Sequence, residues 1–431
     1  MVQTDAPVGV GIIGFGTVGQ GAYTILRDNA PTIARQVGVP VQTRMVADIR
    51  AAELGGRVGP GVELVTDARR VLESPDVQIV CELIGGVGAA AEIVREALSA
   101  GKHVVTANKE LLARQGPELL RLAEENGCDF YFEASVGGGI PIISPLRVGL
   151  AGNRVERILG IVNGTTNYIL TAMAAGGGDL PSVLKEAQEL GYAEADPTND
   201  VEGFDARYKL TILASLGFHA RIRVEQILCE GITGVVPQDI EYARELGYGV
   251  KLLAIARRVD GRIEARVHPT LVPFSHPIAS VAGVNNAIYV TGNAVGDTMF
   301  FGPGAGGLAA GSAVVGDIIE IARNIRAGAC GRLRCPEFRD LPVVPPDDIT
   351  ARYYVRMRVT DAPGVLAAIA SEFGAEGVSI AAVIQKDSHE GVAEIIFLTH
   401  EVREKSFRDA LERIGQLFVV EKVCAFLRVE E

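Results

Sequence analysis

The feature that most restricts how this chain can fold lies near its start. Residues 8–26, VGVGIIGFGTVGQGAYTIL, run from an apolar strand-like segment through Gly14, Phe15, Gly16, Thr17, Val18 and Gly19 into a helix-forming stretch. Glycines at this spacing gain meaning from the strand before them and the helix after. Gly14 permits a tight turn, Gly16 lets a pyrophosphate approach the backbone, and Gly19 lets the helix pack against the strand. The helix N-terminus then presents unpaired N–H groups to an anion. The six residues 14–19 are therefore expected to bind a dinucleotide.

The same rhythm continues. Apolar runs at 41–48, 77–86, 102–109 and 129–139 read as further strands, and 89–100 and 110–126 as helices. Alternation of this kind predicts an α/β fold, a doubly wound parallel sheet with helices on both faces. Its ligands bind at the C-terminal strand ends. Two residues there bear on coenzyme choice. Asp48 would bind ribose hydroxyls and favour NAD, whereas Arg50 would take a 2′-phosphate and favour NADP, and the sequence leaves both open. Lys109 follows a strand and opens a helix, where the helix dipole disfavours a cation. That placement suggests a role near cofactor or substrate.

Residues 150–300 lose the rhythm. Strand-like pieces at 154–162, 250–259, 262–272 and 286–292 mix with helices, which predicts an α+β domain. Within it, residues 191–217 carry Glu194, Asp196, Asp200, Glu202 and Asp205, and then Lys209 enters an apolar run. Asp205, Lys209, Ile212, Leu213 and Leu216 share one helical face. Burial would lower the lysine pKa and Asp205 would raise it, the tuning that suits proton exchange. An i,i+4 salt bridge with a snorkelling stem is the competing reading.

Composition narrows the partners. With 431 residues the chain should hold two or three domains, and its formal charge of −12 argues against nucleic acid or an anionic membrane. No apolar run reaches the roughly 18–20 residues of a spanning helix, and no basic leader precedes the first strand. The six cysteines are scattered; Cys330 and Cys335 are the closest pair, at a spacing that suits neither a zinc ribbon nor a redox motif. Reduced thiols and a cytoplasmic location are expected. The six histidines form no evident ligand cluster.

The last eighty residues read as a separate module. Four prolines between 336 and 346 suggest a linker. Strands at 352–359, 378–386, 391–399 and 420–428, with helices at 364–374 and 403–414, give the order βαββαβ of a ferredoxin-like sandwich.

Taken together, GFGTVGQG, VTANKELLA, YFEASVGGGIPII, GIVNGTTNYIL, GYAEADPTNDVEGFDARYKLTILA and FGPGAGG resemble homoserine dehydrogenase in their order and cover most of residues 8–325. With TDAPGVLAAIA, the C-terminal module resembles an ACT domain. The resemblance implies an NAD(P)-binding domain over 1–135 completed by a returning helix 307–328, a catalytic and dimerisation domain over 136–306, a linker over 329–349 and a regulatory ACT domain over 350–431. It implies reversible NAD(P)-dependent conversion of L-homoserine to L-aspartate 4-semialdehyde in threonine, methionine and isoleucine biosynthesis. It assigns Lys209 to proton exchange, Asp205 to the substrate hydroxyl, Glu194 and Asp200 to substrate binding, and Lys109 to the nicotinamide and substrate. Gly304 and Gly306 would approach the cofactor. Glu133, with the carbonyls of Val136, Gly138 and Ile140, would hold a monovalent cation, usually sodium. Asp361, Gly364, Val365 and Leu366 would bind an amino-acid effector, threonine by the pathway's logic. A homodimer or homotetramer is implied. A related amino-acid dehydrogenase, or a sensor that has lost catalysis, are the rival readings.

Overall fold

The structure is a computed structural model that describes residues 6–333, 337–386 and 391–430. Cys335 lies outside the described residues. The chain divides into two compact units. One comprises residues 1–158, 208–224 and 286–340, the other 159–207, 225–285 and 341–431.

The first unit is built on a six-stranded sheet of β1 (Val8–Ile13), β2 (Val41–Ala47), β3 (Glu63–Val65), β4 (Ile79–Glu82), β5 (His103–Thr106) and β6 (Phe130–Tyr131). Its order is β3-β2-β1-β4-β5-β6 and every pairing is parallel. The order reverses between β1 and β4, so a crevice is expected outside the C-terminal ends of those two strands. All six residues of β1 are buried, as suits a central strand covered on both faces. The helix Gly307–Ala327 packs on the fingerprint helix Thr17–Asp28. A Cβ at Gly21 would lie 1.9 Å from the Gly307 carbonyl oxygen, and one at Gly311 would lie 2.7 Å from the Ala22 nitrogen. Glycine on both helices is what allows their backbones to approach so closely.

Two elements differ from expectation. The strand expected over 129–139 ends after Phe130–Tyr131 and passes into a 3₁₀ turn at Glu133–Ser135. The Glu133 N–H donates to the buried Asp317 carboxylate at 2.8 Å, which replaces a ladder bond. The FGPGAGG motif is not all loop: its first three residues end the strand Gly296–Pro303.

In the second unit, the long hairpin Tyr248–Val259 and Arg262–Pro273 pairs antiparallel along its whole length. The C-terminal module contributes the strands Thr350–Thr360, Ile380–Gln385, Val392–Thr399 and Val420–Val429 and the helices Val365–Ala375 and Glu404–Gly415. In module order, its strands lie 4-1-3-2, the ferredoxin-like arrangement. Its core holds Phe373 and Phe397 in edge contact and stacks Tyr353 on Phe407 at 3.6 Å.

This module is not merely tethered by its linker. Its last strand adds to the hairpin in parallel, Thr270 opposite Arg428 and Leu271 opposite Val429. Ion pairs made by buried arginines line the seam. Arg356 binds Asp239 at 2.7 Å, Arg428 binds both Glu230 and Glu404 at 2.6 Å, and Arg266 binds Glu430 at 2.9 Å. Such pairs add little net stability over apolar packing, but losing one partner strands a buried charge.

Candidate active site

At the switch point, Gly14 has φ 95°, and a Cβ there would lie 2.6 Å from the Leu83 carbonyl oxygen. Gly19 is held to glycine by the Gly14 carbonyl, 2.2 Å from where its Cβ would be. Gly16 caps the helix with open space around its α-carbon and no side chain satisfying the first-turn amides. Thr17 is exposed and Val18 half-buried beside it, while Phe15 is buried in the core. The donors therefore fit a pyrophosphate on this helix end.

Asp48 turns toward this loop. Its Oδ2 accepts the Phe15 N–H at 2.8 Å, and its Oδ1 accepts the Arg50 N–H at 2.9 Å and Nε–H at 3.2 Å. Burial pushes the carboxyl up, yet the hydrogen bonds from Arg50 and Phe15 outweigh it and hold the group below the usual carboxylate range. Arg50 keeps 55% of its side chain exposed. The two residues expected to compete for coenzyme choice thus form one bonded pair beneath the fingerprint loop.

A second network, not anticipated from sequence, shapes the neighbouring strand ends. Glu82, fully buried at the end of β4, accepts the Thr106 hydroxyl at 2.6 Å and the Ile84 and Gly85 N–H groups at 3.0 and 3.3 Å. Thr106 accepts the Asn108 N–H at 3.0 Å. Asn108 then caps the helix Lys109–Glu125 through Oδ1, which accepts the Leu111 N–H at 3.1 Å, and donates Nδ2–H to the Gly86 carbonyl at 2.6 Å. Lys109 is accordingly fixed as the first helical residue, half-buried. The Asn before Lys109 is a readable cap signal; Glu82 sits in an apolar run that carries no such cue.

In the second unit, Asn163 caps the helix Gly164–Ala174. Its Oδ1 accepts both the N–H and the hydroxyl of Thr166 at 2.8 Å. Its Nδ2 donates to Asp200 at 2.6 Å and to Asp205 at 2.9 Å. Asp200 is half-buried and Asp205 is 2% exposed, whereas Glu194 is exposed in the preceding turn. Asn163 thereby joins two of the three predicted substrate carboxylates; Glu194 is outside this bonded set.

The helix Phe204–Phe218 carries Asp205 in its first turn and Lys209 in the next. The division between the units falls within it, after Arg207. The five residues of the expected stripe lie on this one helix, and burial extends around it: every residue from Leu210 to Leu216 is buried, including Thr211 and Ser215. Lys209 is half-buried at the head of this run.

Around the expected cation site, Glu133 is buried and its carboxylate accepts the N–H groups of Ile142, Ile143 and Ser144 at 2.5, 2.7 and 2.7 Å. Burial pushes its carboxyl up despite those bonds, and burial with the nearby Glu133 pushes Asp317 well up. Val136 and Ile140 are buried, and Gly138 has φ 57° with the Gly304 carbonyl against its α-carbon. Gly304 lies against the Asn286 carboxamide, while Gly306, at φ 112°, caps the helix Gly307–Ala327 in open space.

One histidine does fall among other potential ligands. His103, Asp129 and Cys330 bring ligand atoms within 4.8 Å of one another. The Asp129 N–H donates to His103 Nδ1 at 2.9 Å, so the ring proton sits on Nε2, which faces the Cys330 sulfur at 3.6 Å. That tautomer leaves Nε2 a donor, not a metal ligand.

In the C-terminal module, the Asp361 N–H donates to the Gly391 carbonyl at 2.8 Å. Gly364 caps the helix Val365–Ala375 at φ 89°, with Val365 buried and Leu366 45% exposed.

A protein described as homoserine dehydrogenase from Neisseria gonorrhoeae is 45% identical over 98% of this chain and 99% of its own length. The chain belongs to the homoserine dehydrogenase family. Residues 14–133 match the family model described as homoserine dehydrogenase, NAD binding domain, residues 141–319 that of homoserine dehydrogenase, and residues 353–419 that of the ACT domain. A Bacillus subtilis homoserine dehydrogenase is 44% identical over 98% of each chain. The crystal structure of a homoserine dehydrogenase from Thiobacillus denitrificans superposes with a TM-score of 0.95 at 42% identity and covers 100% of both chains. A hyperthermophilic archaeal homoserine dehydrogenase mutant in complex with NADPH aligns with 73% of this chain and 98% of its own, at TM-score 0.63 and 30% identity. As a homoserine dehydrogenase family member, this chain is an oxidoreductase acting on a CH–OH group with NAD(P).

Proposed function

We propose that this enzyme interconverts L-homoserine and L-aspartate 4-semialdehyde, and that the residues named from sequence perform the conversion. The observation that carries this reading is a pair of carboxylates, Asp200 and Asp205, gathered by one amide at the head of the helix that bears Lys209.

Alcohol oxidation removes a proton from oxygen and a hydride from carbon. Bound nicotinamide supplies the hydride acceptor. Lys209, as the neutral amine, takes the hydroxyl proton; in the reverse direction its ammonium returns the proton to the carbonyl oxygen. Asp205 orients the hydroxyl, Asp200 adds negative charge beside it, and Glu194 receives the substrate ammonium. Lys109 brings positive charge near the nicotinamide and the substrate. The amides of Thr17, Val18 and Gly19 hold the pyrophosphate, and Gly304 and Gly306 close on the cofactor. Arg50, exposed beside Asp48, supports NADP as well as NAD.

The monovalent cation belongs to the same proposal. A carboxylate offers about four lone-pair sites, and three amides occupy three of those on Glu133. A cation bound there with the carbonyls of Val136, Gly138 and Ile140 would take the remaining site, on Oε2. Exchange of sodium or potassium for a bulky organic cation should lower the rate; an unchanged rate rejects the site.

Threonine is the proposed effector of the C-terminal module, at Asp361, Gly364, Val365 and Leu366. The open space and positive φ at Gly364 suit close backbone approach to a ligand. We place the enzyme in the cytoplasm as a homodimer or homotetramer, with no nucleic acid or membrane partner. Among the described residues no helix is long and apolar enough to cross a membrane, and five cysteines are free thiols. Steady-state rates with homoserine and each coenzyme, read by nicotinamide absorbance, test the central claim. No turnover of homoserine with either coenzyme would overturn it.

A further inference from the structure

We infer that Asn163 is a positioning residue that makes Asp200 and Asp205 one substrate-binding unit. The inference rests on the proposal that these two carboxylates serve the substrate. The family resemblance assigns Asn163 no role toward the substrate; it is the first of two asparagines in GIVNGTTNYIL.

The orientation of its amide is decided by the fold. Asn163 is the N-cap of the helix Gly164–Ala174, with extended backbone, and its side-chain oxygen accepts the Thr166 N–H and hydroxyl. A backbone N–H needs an acceptor, so Oδ1 must face the helix. The NH₂ group must then face the other way, toward Asp200 and Asp205. Each of its two hydrogens has a separate carboxylate oxygen at 2.6 or 2.9 Å, the short range of charge-assisted bonds.

The carboxylates come from different elements. Asp200 lies in the short helix Thr198–Val201, and Asp205 in the first turn of Phe204–Phe218. Gly203 joins the two helices at φ 79°. Both carboxylates have further interactions, but Asn163 reaches both at once, from a third element 37 and 42 residues away in sequence. Two like charges brought close in a buried setting repel, and a shared donor offsets that repulsion. Asn163 is itself 5% exposed, so its donors meet little competition from water. Without it, the two acids lose a donor that ties them together across the Gly203 corner, and the amino-acid substrate meets a less well-ordered pair of acceptors.

Two substitutions separate positioning from capping. Asn163→Asp keeps a capping oxygen but removes both donors and adds a third negative charge. Asn163→Ser keeps a good N-cap, adds no charge, and is too short to reach the aspartates. Both are assayed as full-length protein for kcat, KM of homoserine, KM of coenzyme and thermal midpoint. Loss of charge-assisted bonds of this kind should raise the homoserine KM by about 10- to 100-fold, more in the Asp variant, while the coenzyme KM stays within about twofold. Asp205→Asn is measured alongside. If it loses activity while Asn163→Ser keeps both parent KM values and kcat, Asn163 is a cap alone and the inference is overturned. If Asp205→Asn is itself fully active, the site reading beneath it fails instead.

Discussion

Two asparagines in this protein do the same local job and carry different cargo. Asn108 and Asn163 each cap a helix with the side-chain oxygen and point the nitrogen outward. At the nucleotide edge, the Asn108 nitrogen holds the carbonyl of Gly86. In the substrate segment, the Asn163 nitrogen holds two carboxylates. The first fixes a stretch of backbone beside the sheet's switch point, and the second fixes charge. An N-cap asparagine has a spare donor pair because capping uses only its acceptor. Under the proposed assignment of the site, the two regions differ in the ligand each would meet: a coenzyme read through backbone shape, an amino acid read through charge.

The strongest challenge to that contrast is Lys209→Ala. If charge in the substrate segment serves proton transfer, turnover in both directions should fall by about 10²–10⁴-fold, while coenzyme binding measured by calorimetry is retained. Near-normal turnover in a folded variant would remove Lys209 from the reaction.

A buried carboxylate held by arginine supplies the control case. Arg356→Met leaves Asp239, 1% exposed, without its guanidinium. Denaturant unfolding should show a loss of about 3–5 kcal/mol, with little change in KM for either substrate. A raised homoserine KM would mean that the seam, too, belongs to the site.

On the coenzyme side the expected loss is smaller. Asn108→Asp keeps the cap and loses one neutral hydrogen bond, so the coenzyme KM should rise by about fivefold and the homoserine KM should hold. The opposite pattern would erase the division between the two asparagines. Asp48→Ala should weaken both coenzymes by releasing the Phe15 N–H, yet shift the ratio of kcat/KM toward NADP because a carboxylate near a 2′-phosphate is lost. A constant ratio confines Asp48 to bracing the loop.

The least effect on basal rate is expected from Gly364→Asp. Its φ of 89° makes any side chain strained, at about 1 kcal/mol locally, and the added carboxylate crowds the proposed effector loop. Threonine titration should show a blunted response against an almost unchanged basal rate. If intact enzyme neither binds nor answers to threonine, the module serves another ligand or the seam alone.

Much of this was legible before any coordinates. The strand, glycine turn and helix of residues 8–26 specify the first βα unit, because each glycine answers a local steric demand. All six main elements of the C-terminal module fall within about two residues of their sequence-read bounds, since period-2 and helical patterns and turn residues are short-range signals. The acidic run ending in Lys209 was readable as a candidate site for the same reason: the spacing Asp205, Lys209 is a property of one helix.

What tertiary structure alone decided is how polar groups were spent. Asp48 was readable as a strand-end carboxylate, but not as the acceptor of the Phe15 N–H, 33 residues away. Glu82 carried no cue within its apolar run, and it accepts the Thr106 hydroxyl, 24 residues away. The last strand looked like the end of a detached module, and its Arg428 instead pairs with Glu230, 198 residues earlier. A buried donor or acceptor must find a partner, but which partner depends on what the fold brings within about 3 Å, and a linear pattern carries no record of that distance.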